Sequence, residues 1–125
     1  MALHASGEDY LEAILVLRER KGTVRSIDVA QHLNFSKPSV SRAVSILRSS
    51  GHITMEKDGR LELTQAGEQV AREIYERHKL LTDWLIRLGV SDQVAAEDAC
   101  KIEHDISPET FQCLKLHAQR QMEPK

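Results

Sequence analysis

The chain has 125 residues, 29% of them charged and 41% hydrophobic, with a net charge of −2, which suits one modest core or two small ones sharing helices. Aromatic residues are scarce at 4%, so the core must be built mainly from Leu, Ile, Val and Ala. No apolar run approaches the roughly 18 residues that span a bilayer, the first ten residues lack a signal-peptide pattern, and Cys100 and Cys113 alone make no disulfide framework. These features exclude a membrane span and favour a reducing, cytoplasmic setting.

The charge is unevenly distributed. From Arg18 to Arg60 nine Lys/Arg stand against four Asp/Glu, a balance of +5. From Glu73 to Glu109 four bases stand against nine acids, a balance of −5. A basic half suits phosphate contacts and an acidic half suits a cation.

In chain order, Ser6 and Asp9 form a loose capping signal for a helix over about 7–21, with Tyr10, Leu11, Ile14, Leu15 and Leu17 apolar and Gly22 as its stop. A short helix follows over about 26–33, with Ile27, Val29, Ala30 and Leu33 expected inward. Asn34 and Phe35 make a turn. Ser36 caps a third helix that tolerates Pro38 in its first turn, buries Val40, Val44 and Leu47, and stops at Gly51. Two short helices across a tight turn read as helix-turn-helix. Ile53-Thr54-Met55 and Leu61-Glu62-Leu63 are strand-like runs flanking Asp58-Gly59, a hairpin turn signal, and together form a wing. Thr64 caps a long helix to about Leu88, Ser91 caps another to about Asp105, and Ser107-Pro108 opens a last helix to about Gln121. The expected class is mainly α: a winged helix-turn-helix over 1–71 and a helical domain over 72–125, divided within the long helix.

A recognition helix meets base edges with its N-terminal residues. Here these are Ser36, Lys37, Pro38, Ser39, Ser41 and Arg42, small or hydroxylic apart from the two cations and the proline. Arg42 can reach guanine O6 and N7, and wing residues Lys57 and Arg60 can reach phosphates or the minor groove. The second constellation is Cys100, Glu103 and His104, at i, i+3 and i+4 and therefore on one helical face. A thiolate, a carboxylate and an imidazole can hold a divalent transition metal. Asp9 and Glu12 on the first helix and His78 on the fourth offer further donors. The alternative for each is a solvated charge or a packed thiol. Cys113 and His117, also at i, i+4, read as a core thiol and a surface imidazole.

The chain resembles the diphtheria toxin repressor and manganese transport regulator family. The resemblance covers nearly the whole chain and is carried by EDYLEAI at 8–14, SKPSVSRAVSILRSSGHI at 36–53, GRLELTQAGEQVA at 59–71, ERHKLL at 76–81 and, most specifically, EDACKIEHDIS at 97–107. It implies a DNA-binding domain, a helical dimerisation domain and metal bound where they meet, in the short form that lacks a C-terminal barrel. It makes Asp9, Glu12, His78, Glu103 and His104 match ligands of the manganese-responsive branch. Cys100 departs from that branch, which has Glu there, and follows the iron-responsive one. The second site of the iron branch would need Glu and His where this chain has Thr82 and Ala96, and Asp105 stands where some manganese members carry a second His. The implied cofactor is Mn(II) ahead of Fe(II), with Zn(II) or Co(II) as binders in vitro. The implied partners are double-stranded operator DNA and a second copy of the chain. Two other readings remain: a winged-helix regulator not gated by metal, and a metal-dependent enzyme, against which stand the lack of an HExxH pattern and of a Gly-rich phosphate loop.

Overall fold

The computed structural model describes residues 5–122, with side chains placed for 6–120. Among the described residues the chain forms six helices and one two-stranded antiparallel sheet. They fall into two compact units that meet between Glu73 and Ile74.

The N-terminal unit is built on α1 (Ala5–Lys21), α2 (Ser26–Leu33), α3 (Lys37–Ser49), β1 (Ile53–Met55), β2 (Leu61–Leu63) and the start of α4 (Gln65–Arg87). Helix α1 is already formed at Ala5, ahead of the expected start, so Ser6 lies within it rather than capping it; residues 1–4 lie outside the described part. Its apolar stripe is buried throughout: Tyr10, Leu11, Ala13, Ile14, Leu15 and Leu17. The Asp28 carboxylate receives the Lys21 ammonium at 2.7 Å and the Arg25 backbone N–H at 2.9 Å, and these two donors hold its pKa below the ordinary carboxylate value. Asn34 takes the left-handed conformation at the end of α2, which lets the Phe35 N–H donate to Ala30 O at 3.0 Å. Val29 and Ala30 are buried, but Ile27 is 41% exposed, contrary to expectation. The buried stripe of α2 passes through 29, 30 and 33, and Ile27 sits roughly a third of a turn off it. Ser36 caps α3 by accepting the Ser39 N–H, and Val40, Val44 and Leu47 form its buried face.

The wing pairs Ile53 with Leu63, Thr54 with Glu62 and Met55 with Leu61. The Glu56 N–H donates to Arg60 O at 2.8 Å, so the turn is the three residues 57–59, with Gly59 in the left-handed region (φ 92), rather than Asp58-Gly59 alone. A third segment joins it: the Leu61 N–H donates to Val24 O at 2.7 Å, and Arg25 bridges Arg60. The base of the wing is closed by Thr64. Its backbone N–H donates to His52 O, its hydroxyl donates to Gly51 O at 2.7 Å, and the same oxygen accepts the Gly67 N–H at 3.2 Å as the cap of α4. Gly67 permits this closure, because a Cβ there would stand 1.9 Å from His52 O. On the next turn Glu68 receives Arg18 at 2.6 Å and Arg72 at 2.9 Å.

The C-terminal unit consists of the remainder of α4, α5 (Asp92–Ile102) and α6 (Pro108–Met122). Ile74, Leu81, Ala95, Ala99, Phe111 and Ala118 are buried. Helix α4 ends in a Schellman arrangement at Gly89 (φ 105), with Val90 N–H to Leu85 O and Gly89 N–H to Ile86 O both at 3.0 Å. Ser91 occupies the N-cap of α5 without a side-chain capping bond, whereas Ser107 caps α6 through the Thr110 N–H at 3.1 Å. Helix α5 stops at Ile102, short of the expected Asp105, because the Asp105 N–H turns back to Ile102 O, three residues away. One side chain of α6 also differs from expectation: Cys113, read as a core thiol, is exposed, while Phe111 is buried within the unit. Phe111 and Ala118, seven residues apart, define the buried stripe of α6, and Cys113 lies off it.

Two outcomes follow from the N-terminal unit. Gly67→Ala forces a methyl into a backbone carbonyl, so urea melts should show a loss of about 1–3 kcal/mol. The Glu68 carboxyl is held at about 2, against its ordinary 4.5, first by the Arg18 and then by the Arg72 hydrogen bond. Its folded pKa is depressed, so its contribution is complete above about 4.5 and is lost as pH falls toward 2. The group is partly exposed, so screening limits its contribution to about 1 kcal/mol or less. Glu68→Gln should flatten the pH dependence of stability in that window, measured by denaturation at stepped pH.

Candidate metal centre and nucleic-acid interface

Helix α3 presents Ser36, Lys37, Pro38, Ser39, Ser41 and Arg42 to solvent, with Ser45 one turn on. The Ser36 hydroxyl also donates to Ser39 Oγ at 2.8 Å, which pre-sets the first turn of the helix. Ile46, 58% exposed on the same helix, was not singled out from the sequence. An exposed aliphatic side chain on a recognition helix can contact a thymine methyl, and its departure from the 40/44/47 stripe was the available signal. On the wing, Lys57 and Arg60 are exposed as expected. Arg60 is engaged by its neighbour: Asp58 Oδ2 lies 2.9 Å from its Nε. The Arg25 Nε also donates to the Asp58 carbonyl at 3.3 Å. The backbone N–H of Arg60, and then its side chain, lower the Asp58 pKa, and Asp58 raises that of Arg60.

The candidate metal ligands divide between the two units. Asp9 and Glu12 sit one turn apart on α1 in the N-terminal unit. In the C-terminal unit, α4 carries His78 while the end of α5 supplies Cys100, Glu103 and His104. Glu103 lies just past the last residue of α5 but keeps helical dihedrals (φ −59, ψ −26), so the expected shared face survives the earlier helix end. A sulfur, a carboxylate oxygen and a ring nitrogen of Cys100, Glu103 and His104 lie within 4.8 Å of one another. His78 Nδ1 is 2.9 Å from Glu103 Oε2, and His104 Nε2 is 3.5 Å from Glu103 Oε1. A neutral His78 donating from Nδ1 carries its lone pair on Nε2.

Glu103 is the one charged side chain in the buried class among the described residues, with no exposed surface at all. Its Oε1 has no hydrogen-bond partner. Burying a carboxylate oxygen without a donor is costly unless a cation answers it. Thiolate, carboxylate and imidazole donors beside that oxygen fit a divalent transition metal. Thr82 and Ala96 provide neither carboxylate nor imidazole, so the second site of the iron branch lacks these donors here.

One further residue, Arg77, is not among the sequence candidates. Arg77 donates from Nη1 to the carbonyls of Glu103 and Ile106, both at 3.0 Å, and its guanidinium lies 5.2 Å from the centre of the Phe111 ring. No spacing rule links residues 77, 103, 106 and 111.

The sequence profile of the iron-dependent repressor N-terminal DNA-binding domain matches residues 2–61, and that of the iron-dependent repressor metal-binding and dimerisation domain matches residues 64–120. The transcriptional regulator MntR of Escherichia coli O6:H1 is 36% identical over 113 residues, which cover 90% of this chain and 73% of that protein. The manganese regulator SloR superposes with a TM-score of 0.82 at 27% identity over 90% of this chain. IdeR of T. acidophilum superposes with a TM-score of 0.77 at 26% identity over 94%. The chain spans 53% and 55% of those two solved chains, about half of each. These relatives are regulators rather than enzymes, and no helix among the described residues is long and apolar enough to cross a membrane. The chain belongs to the iron-dependent repressor family, with its DNA-binding domain followed by its metal-binding and dimerisation domain.

Proposed function

We propose that this protein is a dimeric, metal-dependent transcriptional repressor that binds operator DNA in the cytoplasm and controls metal-uptake genes. The buried Glu103 carboxylate, with Oε1 unanswered by any hydrogen bond, carries the reading. Residues 1–71 are assigned DNA binding, and 72–125 metal binding and dimerisation. Cys100, Glu103 and His104 are assigned as ligands on the grouping at the end of α5, and His78 on its 2.9 Å approach to Glu103. Asp9 and Glu12 are assigned on the resemblance alone. When bound, the metal supplies positive charge to a carboxylate-rich ligand set. Its identity is Mn(II) first, supported by the manganese regulators among the relatives, and Fe(II) second, supported by the Cys100 thiol.

The DNA-binding assignment rests on the exposed start of α3 and on the wing. Arg42 is assigned base reading; Lys37, Lys57 and Arg60 are assigned phosphate contacts. Two copies would place two recognition helices on near-palindromic half-sites. Val94 and Leu116, 45% and 46% exposed, are available on α5 and α6 for pairing with a second copy.

Three measurements test this reading. In fluorescence anisotropy on the upstream region of its own operon, affinity should rise with Mn(II) or Fe(II) and fall with chelator. Equal affinity in chelator identifies a regulator not gated by metal. Arg42→Ala should cost about 1–3 kcal/mol on the operator and relax specificity at one position, whereas Lys57→Ala should weaken binding to all sequences and flatten its salt dependence. Co(II) should give an intense near-ultraviolet thiolate charge-transfer band that disappears in Cys100→Ala. Cys100→Glu should shift the response toward Mn(II) and away from Fe(II) or Zn(II).

A further inference from the structure

We propose that Arg77 is a positioning residue of the metal centre, holding Glu103 by its backbone while the adjacent His78 holds it by its carboxylate. The proposal rests on the metal reading above. Consecutive residues of α4 grip opposite ends of one amino acid. Arg77 Nη1 donates to Glu103 O at 3.0 Å, and His78 Nδ1 lies 2.9 Å from Glu103 Oε2. Glu103 is the C-cap of α5, where the last carbonyls of a helix have no intrahelical donor. Arg77 supplies that donor, and the same nitrogen also donates to Ile106 O at 3.0 Å, near the far end of the turn.

The turn from 103 to 107 therefore has both of its flanks tied to one guanidinium. That turn contains Glu103 and His104, two of the assigned ligands. Phe111 fixes the plane of the guanidinium from α6, 5.2 Å from its ring centre. Arginine is suited to this place and lysine is not. The planar Nη1 serves both carbonyls with its two hydrogens while the rest of the guanidinium lies over the ring; an ammonium on a flexible stem could donate to the carbonyls but offers no plane to stack. The buried carboxylate of Glu103 has a strong reason to swing toward water when no cation faces it. Holding the backbone at residue 103 leaves only side-chain rotation for such an escape, and the His78 bond restrains that rotation. Arg77 in this way pre-organises the ligands before a cation arrives, at a position that makes no bond to the cation itself.

The test measures metal binding directly. Mn(II) affinity is obtained by competition with a fluorescent chelator, the Co(II) absorption spectrum reports ligand geometry, and circular dichroism with thermal melts of the metal-free protein reports folding. Arg77→Gln should raise the Mn(II) Kd about 10–100-fold, as loss of an outer ligand support does, and should alter the Co(II) bands. Arg77→Lys should weaken binding less. Phe111→Leu, which keeps an apolar side chain but removes the ring, should weaken it about 2–5-fold. A folded Arg77→Gln protein with a lower melting temperature but unchanged Mn(II) affinity and Co(II) spectrum overturns the proposal, because Arg77 is then only structural. If Arg77→Gln fails to fold, unchanged affinity in both Arg77→Lys and Phe111→Leu overturns it. Wild-type protein that binds neither ion overturns the metal reading itself, and this role with it.

Discussion

A carboxylate removed from water is the constraint around which the C-terminal unit is arranged. Glu103 has no exposed surface, yet it ends a helix, where backbone carbonyls also need donors. Two needs of opposite kind converge on one residue: its carbonyl wants a hydrogen-bond donor and its side chain wants positive charge. Arg77 and His78 meet the first need fully and the second in part. The remaining oxygen is what gives this buried acid a purpose beyond packing. A core leucine at this position would be cheaper to fold, so the cost of the acid argues for a cation as the partner that balances it.

The N-terminal unit solves a different problem by different means. It must expose a polar helix start and a charged wing while remaining rigid enough to present them. Its rigidity comes from α1, whose apolar stripe is buried almost without interruption. It also comes from the base of the wing, where Thr64 joins the end of the α3 turn to the start of α4 with three hydrogen bonds. At the tip Lys57 stands exposed, while Asp58 and Arg60 pair with each other.

How far the fold was legible in the sequence depended on the range of the signal. The bounds of α2 and α3, the Ser36 cap and the two strands of the wing rest on signals local to each element, and all were readable. The end of α5 was not: the helix closes where the Asp105 N–H returns to Ile102 O, and the carbonyls of Glu103 and Ile106 are taken by Arg77, 26 and 29 residues away. Distance along the chain also hides the Arg25–Arg60 bridge, since pairing of single residues leaves no periodicity. Ile27 and Cys113 were misplaced for a related reason: an apolar residue near a buried stripe is not necessarily on it. At the candidate metal centre, spacing brought Cys100, Glu103 and His104 together, and the structure puts His78 beside Glu103. What spacing could not reveal was that Glu103 alone among them is wholly sealed from solvent.

The wing has a consequence for how tightly the basic half of the chain can hold a polyanion. Asp58 at the hairpin tip lies against Arg60 and, more loosely, Arg25. It acts as a counterion built into the polypeptide. For Arg60 to meet a phosphate it must exchange one oxyanion for another, rather than leave water for one. Salt-driven affinity for DNA comes from small ions released into solution, and a carboxylate tethered to the wing cannot be released. The nine basic residues between Arg18 and Arg60 therefore overstate the number of charges that work by ion release. Arg60 therefore adds less to the salt-driven part of DNA affinity than a wing cation without such a partner would.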